Sequence, residues 1–365
     1  MMIKILAINP GSTTTKIAVF LNSRPIFLKS IVHNPSKLDE FGHITNQYEF
    51  RKNCILKELE DSHIDISKIQ AVVARGGLLK PIKSGVYRIN DRMKSDLKKG
   101  IFGEHASNLG GLIADDIARH IPGCQAFIAD PVVVDELEDV ARYTGHPKFK
   151  RYSIFHALNQ KAIARAYARL INRKYEDLNL IIAHMGGGIS VGAHHFGKVI
   201  DVNQALDGEG PFSPERTGTL PAGALARLCF EEGITLDEIK KMITGHGGLM
   251  AYLGTNSAYE VELMAQDGND EARKVQDAMA YQIAKEIGSM ASVLKGQVDA
   301  IILTGGISHN TMIVEYIKSM VSFIAPVIIY PGEDEMHALA WNGLMIIKGE
   351  IKAKEYDETN MVEIK

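Results

Sequence analysis

The chain has 365 residues, more than one hydrophobic core usually organises, so we expect two domains. Lysine and arginine total 41 and aspartate and glutamate 44, a formal net charge of −3 that argues against a nucleic-acid or anionic-membrane partner. Three widely spaced cysteines form no CxxC pair, and a polar Asn-Pro-Gly interrupts the first apolar run. No apolar stretch approaches the roughly 20 residues that span a bilayer. We therefore predict a soluble, cytoplasmic protein.

The predicted elements open with two β-rich apolar runs, at 3–8 and 16–20, which flank a polar bend. A third run at 26–33 extends this hairpin. Helix-like spacing then alternates with short buried strands. The predicted segments are helical spacing over 36–60, a strand over 71–74, a helix over 103–120, a strand over 126–129 and an amphipathic helix over 153–173.

The opening pattern returns about half a chain later. An apolar run at 180–183, a glycine bend at 184–188 and returning strands at 189–193 and 199–202 repeat the first hairpin. Helical segments follow at 222–230, 235–242 and 272–294, and a strand at 300–303 leads through Thr-Gly-Gly-Ile-Ser toward another helix. We predict an α/β fold of two duplicated domains, 1–155, completed by a C-terminal helix at 335–365, and 156–334.

The three bends carry the first functional signal. In the first, Gly11 lets the backbone pass close to a ligand, and the neighbouring residues offer backbone N–H groups, four hydroxyls and the Lys16 ammonium to an anion. A surface turn rich in serine and threonine is the alternative reading. Each glycine cluster taken alone is equally compatible with tight α/β packing. Three such bends at the ends of apolar strands favour phosphate loops, which predicts an ATP cleft between two similar domains.

These bends also carry a family resemblance. The runs NPGSTTTK at 9–16, HMGGGIS at 184–190 and TGGI at 304–307 resemble the phosphate and adenosine motifs of the acetate kinase family, within the actin-like and sugar-kinase superfamily. Segments at 74–79, 103–108, 130–142, 153–159 and 205–218 are most similar to the branch that acts on butyrate. The resemblance implies the two-domain actin-like ATPase fold. It also implies reversible transfer of the γ-phosphoryl group of ATP to butyrate or isobutyrate, with Mg²⁺, giving an acyl phosphate and ADP.

Two alternatives stay open at this point. The acceptor could be acetate or propionate, or the chain could be a non-catalytic actin-like module that binds ATP and signals by domain closure. We expect a homo-oligomer of two or more copies, without a nucleic-acid or membrane partner.

The resemblance assigns catalytic roles to Arg216, His156 and Asp130. Because the acceptor is already an anion, the reaction needs cations and donors rather than a general base, and a planar arginine fork suits the transferring phosphoryl group. The residues alone leave plainer readings open, namely a surface pair between Arg216 and Glu215, a capping or core histidine at His156, and a turn-forming carboxylate at Asp130.

The remaining expected site residues divide by ligand. Those for the nucleotide are Asn9, Ser12, Thr14, Lys16, His184, Gly186, Gly187, Gly188, Asn256, Ser257, Gly305 and Gly306. Those for Mg²⁺, which takes few protein ligands, are Asn9, Asp130 and one acidic residue of 333–335, assigned to Glu335. Those for the acceptor are Arg75, His105, Val132 and Val133, although the two valines could equally be core residues.

Overall fold

The computed structural model describes residues 2–231, 233–332 and 334–363. Its α/β elements fall into two units, one formed by Met1–Asp135 with Asp334–Lys365 and the other by Glu136–Glu333. The division between Asp135 and Glu136 lies before the position near 155 that the sequence predicted. The intervening segment belongs to the second unit because its groups bond there: the Glu138 amide donates to the Ile200 carbonyl at 2.9 Å, and Arg151 Nη1 lies 3.1 Å from Asp201.

The first unit is built on a six-stranded mixed sheet. Its strands, in the spatial order β3-β2-β1-β4-β6-β5, are β1 (Lys4–Pro10), β2 (Thr14–Leu21), β3 (Arg24–Val32), β4 (Ile69–Arg75), β5 (Val86–Arg88) and β6 (Gln125–Ala129). The first three form an antiparallel meander, and β4 and β6 add to β1 in parallel. The β1, β4 and β6 strands are nearly continuous apolar runs because the sheet interior is buried on both faces.

Four helices of this unit precede the crossover into the second. They are α1 (Pro35–Asp39), α2 (Tyr48–Asp61), α3 (Asp91–Lys99) and α4 (Asn108–Arg119). The predicted helical spacing over 36–60 thus resolves into two helices, and the helix predicted from 103 begins at Asn108. The residues before Asn108 form turns, and Gly103 adopts a φ of +116°, a left-handed conformation that favours glycine.

The second unit repeats the plan of the first. The helix α5 (Ala157–Leu170) leads into a five-stranded sheet of spatial order β11-β10-β7-β8-β9, in which the strands are β7 (Asn179–Met185), β8 (Ile189–His195), β9 (Lys198–Val202), β10 (Ala300–Gly305) and β11 (Val327–Pro331). Again an antiparallel meander is followed by two parallel strands. The predicted duplication is therefore confirmed at the level of strand order.

The helices of the second unit lie mostly between β9 and β11. They are α6 (Ala222–Glu231), α7 (Leu236–Ile243), α8 (Gly248–Leu253), α9 (Ala258–Gln266), α10 (Asp270–Val293) and α11 (Thr311–Val321). In α10, Met279, Ile283 and Ile287 are buried at helical spacing and pack in the core against the sheet. The helix predicted over 335–365 is shorter in the structure, because α12 (Glu335–Ile347) ends at Ile347 and the described residues 348–363 form turns, bends and isolated bridges. This helix belongs to the first unit and packs against β1 and β4.

The start of α5 differs from its prediction for a local reason. Residues 153–156 do not join the helix, because the Ile154 carbonyl accepts a hydrogen bond from the Ala205 amide at 2.9 Å. The helix begins only at Ala157, which leaves His156 at the position before its first turn. Within the described ranges, no helix is long and apolar enough to cross a bilayer.

Candidate functional site

In the first unit, polar side chains follow the carboxyl ends of three neighbouring parallel strands. Asn9 lies at the end of β1, Arg75 ends β4, and Asp130 comes directly after β6. The pairings of Ile8 with Ala74 and of Arg75 with Ala129 bring these positions to one edge of the sheet. Such an edge is where open α/β sheets usually bind ligands.

Glu335 meets this edge from the first turn of α12. Asn9 Nδ2 donates a hydrogen bond to the Glu335 carboxylate, and Arg75 Nη1 lies 3.5 Å from it. Asn9 Oδ1 is buried and has no hydrogen-bond partner among the residues that the structure describes. A buried amide oxygen without a partner, beside a carboxylate that is 5% exposed, is a donor set that suits a hard cation. Glu333, an alternative at this position, lies outside the described residues.

Asp130 is held by its own surroundings. Its Oδ1 accepts hydrogen bonds from the Ser84 hydroxyl at 2.6 Å and from the Gly85 amide at 2.8 Å. Its φ of +33° is unusual for a residue other than glycine and costs about 1–3 kcal/mol. The turn after β6 therefore fixes the carboxylate at the strand end, where the expected role would need it.

The four predicted acceptor residues all lie in the first unit, in different surroundings. Arg75 is engaged with Glu335, as described above. His105 lies just before α4, where its Nδ1 accepts a hydrogen bond from the Ser107 amide at 3.2 Å. Val132 is half-buried and Val133 is buried, and both lie in a turn after β6 rather than in a strand.

The first bend is organised by a residue that the sequence did not single out, Arg51 of α2. Its side chain is fully buried. The guanidinium donates to the carbonyl oxygens of Gly11 at 2.8 Å, Ser12 at 2.6 Å and Thr14 at 3.2 Å. It also bonds the side-chain oxygens of Thr15 and Gln47. A cation that draws three carbonyls of one turn to a single side fixes the shape of that turn.

The other predicted residues of the first bend are accessible. Ser12 and Lys16 are exposed and Thr14 is half-buried, so their polar groups can reach a ligand. Lys16 of β2 lies directly opposite Asn9 of β1 in the antiparallel pair. Beneath the bend, the Thr15 hydroxyl and His33 Nε2 are 2.8 Å apart, and burial together with the charge of Arg51 lowers the pKa of His33 to about 4.

In the second unit, two histidines stack where α5 begins and β7 ends. The rings of His156 and His184 have centroids 3.9 Å apart and are inclined by 18°. His156 Nδ1 lies 2.9 Å from the Ser190 hydroxyl, and His184 Nδ1 lies 2.9 Å from Asn159 Oδ1. The two predicted histidines of this unit thus form one pair, held by neighbours on α5 and β8.

The glycine bend after β7 is shaped around Arg216. A Cβ on Gly188 would lie 2.0 Å from Arg216 Nη1, so the guanidinium occupies the space that a side chain would need. Arg216 Nη1 also donates to the Ala205 carbonyl at 2.8 Å. The Ser213 hydroxyl donates to the Gly187 carbonyl at 2.7 Å, which ties the arginine loop to the bend.

Five of the residues predicted for the nucleotide line one cavity of about 360 Å³. Gly186, Gly187, Asn256, Ser257 and Gly306 all contribute to its wall. Gly305, at the end of β10, adopts a φ of +92°, and a Cβ there would lie 2.3 Å from the Met185 carbonyl oxygen. The second and third glycine bends are therefore in direct contact, and glycine is required where they meet.

Residues 140–325 match the family described as the acetokinase family. The chain is similar to two proteins of Clostridium acetobutylicum. It is 57% identical to butyrate kinase 2 over 356 residues, 98% of this chain and all of that protein, and 53% identical to butyrate kinase 1 over 355 residues, 97% of this chain and all of that protein.

Among solved structures, the acetate kinase of Porphyromonas gingivalis has the same fold. It aligns with a TM-score of 0.76 and 20% identity over 94% of this chain and 100% of that one. One assignment follows from the two repeated sheets, the glycine bends, and the 57% and 53% identity to these relatives over nearly the whole chain. The chain belongs to the acetokinase family.

Proposed function

We propose that the chain is a short-chain carboxylate kinase, which transfers the γ-phosphoryl group of ATP reversibly to butyrate or isobutyrate and yields an acyl phosphate and ADP. The observation that carries the proposal is the packing of Arg216 against Gly188, at the bend after a central strand. There a permanent cation stands beside backbone donors, which is what charge on a transferring phosphoryl group requires. Both curated relatives bear the name butyrate kinase.

The nucleotide groups are assigned by chemistry. Ser12, Thr14 and Lys16 supply hydroxyls and an ammonium to phosphate oxygens. The second bend supplies the backbone amides of Gly187 and Gly188, while the Gly186 amide donates to the Gly188 carbonyl at 3.0 Å. The nucleoside is assigned to the cavity lined by Asn256 and Ser257, whose 360 Å³ is in the range of small-ligand pockets. His156 and His184 are assigned to the phosphoryl group as ring N–H donors.

Magnesium is assigned to the first unit. Asn9 Oδ1 and the Glu335 carboxylate would hold it, with Asp130 at the end of β6, two strands from β1 in the same sheet. Within the described ranges no cluster of three or more His, Cys, Asp or Glu could hold a metal, but Mg²⁺ usually keeps several waters and needs only one or two carboxylates. When bound, the ion neutralises charge on the phosphate oxygens.

The acceptor is assigned to Arg75, His105, Val132 and Val133. Arg75 supplies a cation for the carboxylate, while the valines supply apolar surface for an alkyl chain. Each buried methylene contributes about 0.8 kcal/mol, so a pocket lined by such residues favours butyrate over acetate by roughly tenfold or more.

Location and assembly complete the proposal. The three cysteines are unbridged, as is usual for thiols in a reducing cytoplasm, and we place the enzyme there. We also propose that it works as a homo-oligomer, which light scattering coupled to size-exclusion chromatography would test.

The deciding experiment traps acyl phosphates as hydroxamates across acetate, propionate, butyrate and isobutyrate, with ATP and Mg²⁺. We expect the largest kcat/KM for butyrate or isobutyrate. A preference for acetate or propionate would overturn the acceptor assignment. ATP binding without any acyl phosphate would instead favour a non-catalytic ATP-binding module.

A further inference from the structure

A line of hydrogen-bonded polar groups leads from His156 into the core of the second unit, to which His156 itself belongs. Tyr175 Oη lies 2.7 Å from His194 Nδ1, and His194 Nε2 lies 2.9 Å from Gln160 Oε1. Gln160 Nε2 then lies 2.9 Å from the Ser190 hydroxyl, which is 2.9 Å from His156 Nδ1. Gln160, Ser190 and His194 are all fully buried.

The alternation of β8 creates room for this line. Ser190, Gly192 and His194 are alternate residues of the strand and so share one face of the sheet. A Cβ on Gly192 would lie 2.7 Å from Gln160 Oε1. The glutamine side chain of α5 therefore lies over the glycine and reaches both of its neighbours on that face.

The direction of the hydrogen bonds follows from one carbonyl group. Besides the Ser190 hydroxyl, the same Gln160 amide atom lies 3.0 Å from the Ser190 backbone oxygen. A carbonyl oxygen only accepts hydrogen bonds, so this amide atom must be the NH₂ group. Gln160 Oε1 therefore faces His194 and accepts the hydrogen of its Nε2. His194 is kept neutral because complete burial lowers its pKa far below the ordinary value, so its Nδ1 accepts from Tyr175.

The same reasoning applies at the other end of the line. The Ser190 oxygen accepts the Gln160 Nε2–H at 2.9 Å and the His156 backbone N–H at 3.4 Å. Both of its lone pairs are then used, so its own hydrogen is directed at neutral His156 Nδ1. A neutral imidazole that accepts at Nδ1 carries its hydrogen at Nε2.

We propose that Ser190 and Gln160 are positioning residues that hold neutral His156 in the tautomer with its hydrogen on Nε2. This inference deepens the proposed function and rests on it, because an Nε2–H donor is the form of a neutral histidine that can stabilise charge on a transferring phosphoryl group. The opposite tautomer would present a lone pair to an anion and repel it.

The test uses the full-length protein labelled with ¹⁵N-histidine at about pH 8.5, where imidazoles are mostly neutral. The nitrogen shifts of His156, identified by their loss in His156→Gln, should show a protonated Nε2 and an unprotonated Nδ1. In Ser190→Ala the two nitrogens should move toward averaged shifts. The kcat for acyl phosphate formation should fall about tenfold while the KM for ATP changes less than about twofold.

A second variant reverses the direction of the hydrogen bonds between residue 160, Ser190 and His156 instead of removing one of them. In Gln160→Glu the carboxylate accepts the Ser190 hydrogen, the serine oxygen accepts from His156, and the shifts should move toward a protonated Nδ1. Gln276→Glu places a carboxylate at another buried glutamine of the same unit and should leave the His156 shifts unchanged. Wild-type shifts with a protonated Nδ1, or shifts unaffected by Ser190→Ala and Gln160→Glu, would overturn the inference. A correct tautomer in a wild-type protein that forms no acyl phosphate would leave the positioning intact and overturn the proposed function.

Discussion

The two bends at residues 9–15 and 185–188 occupy equivalent places in the repeated sheets but are built from different chemistry. The first is rich in hydroxyls, and the buried Arg51 holds three of its carbonyl oxygens from within the unit. The second ends in three consecutive glycines, Gly186 to Gly188. The Ser213 hydroxyl bonds the Gly187 carbonyl, and the missing side chain of Gly188 leaves room for the guanidinium of Arg216. One arginine contacts each bend. Arg51 donates hydrogen bonds to the carbonyl oxygens of the first bend, whereas Arg216 fills the space beside Gly188 in the second.

The difference separates an arginine that fixes the backbone of a bend from an arginine that is proposed to act on the phosphoryl group. Arg51 has its donors occupied by neutral oxygens of its own unit, so its charge supports the backbone of the first bend. Arg216 donates to the Ala205 carbonyl at 2.8 Å and packs against the glycine bend, where a Cβ on Gly188 would collide with it. The duplicated backbone path is therefore compatible with a structural arginine in one copy and a proposed catalytic arginine in the other.

The largest expected effect comes from Arg216→Ala. If this residue stabilises the transferring phosphoryl group, kcat should fall by about 10³-fold or more, as for other arginines in phosphoryl transfer. Steady-state kinetics with butyrate and ATP measures this, and unfolding in urea checks that stability is retained. A loss below tenfold would contradict the catalytic assignment and remove the contrast between the two arginines.

Gly188→Ala tests the position of Arg216 by adding a methyl group to the bend beside it. The added methyl group would collide with the end of a flexible side chain, so Arg216 should move while the backbone keeps its path. A displacement of about 1 Å can cost about 100-fold in rate, and we expect a loss of that size in kcat. Gly187→Ala is the matched control, because its Cβ would meet only Glu215 Oε1 at 3.9 Å. Equal losses in both variants would mean that the bend, and not the arginine, is what matters.

Strand positions, the duplication and the glycine bends could be predicted because they depend on local pattern. Apolar runs of β-branched residues fix the strands, and glycines after them mark the turns. Arg51 could not be found in this way, since a charged residue in a helical segment normally indicates a solvated face. Its burial depends on contact with a turn about 40 residues earlier in the chain, for which helical spacing holds no signal.

The same limit applies to Gln160 and to the domain boundary. Gln160 has the spacing of an ordinary helix residue, and only the alternation of Ser190, Gly192 and His194 on β8 hints at a polar face within the core. The sequence near the boundary has no linker composition. Residues 136–155 belong to the second unit because they bond to residues some 50 or more positions away, and local composition holds no signal for such contacts.

Arg51→Met tests whether the first bend relies on its arginine for shape. The change leaves three carbonyl oxygens without their donor, and we expect the free energy of unfolding to fall by about 3 kcal/mol, with a higher KM for ATP. Urea denaturation and ATP kinetics measure the two effects. Arg24→Met, at an exposed position of β3, is the control and should change neither. Unchanged stability with a raised KM would indicate direct contact with the nucleotide instead.

Glu335→Gln tests the assignment of the metal to the first bend. Removing the charge beside Asn9 should raise the Mg²⁺ concentration for half-maximal rate about tenfold, while ATP binding without metal stays the same. Asp334→Asn is the control, because it neutralises the neighbouring carboxylate, which is exposed and bonded to His337. It should change the Mg²⁺ concentration for half-maximal rate less than twofold. If Asp334→Asn has the larger effect, the metal position moves to the preceding residue.

The last expected effect is a pH dependence of stability that comes from His33, beneath the first bend. The pKa of folded His33 is about 4 and its ordinary value is 6.5, so the unfolded chain takes up this proton first. The contribution of neutral His33 to stability is therefore complete above pH 6.5 and is lost as the pH falls toward 4, at no more than about 1.4 kcal/mol per pH unit. In His33→Gln this part of the slope should disappear from urea titrations between pH 7.5 and 4.5, whereas His43→Gln, at an exposed ring, should retain it. Coincident curves for wild type and His33→Gln would show that the Thr15–His33 contact does not support the bend.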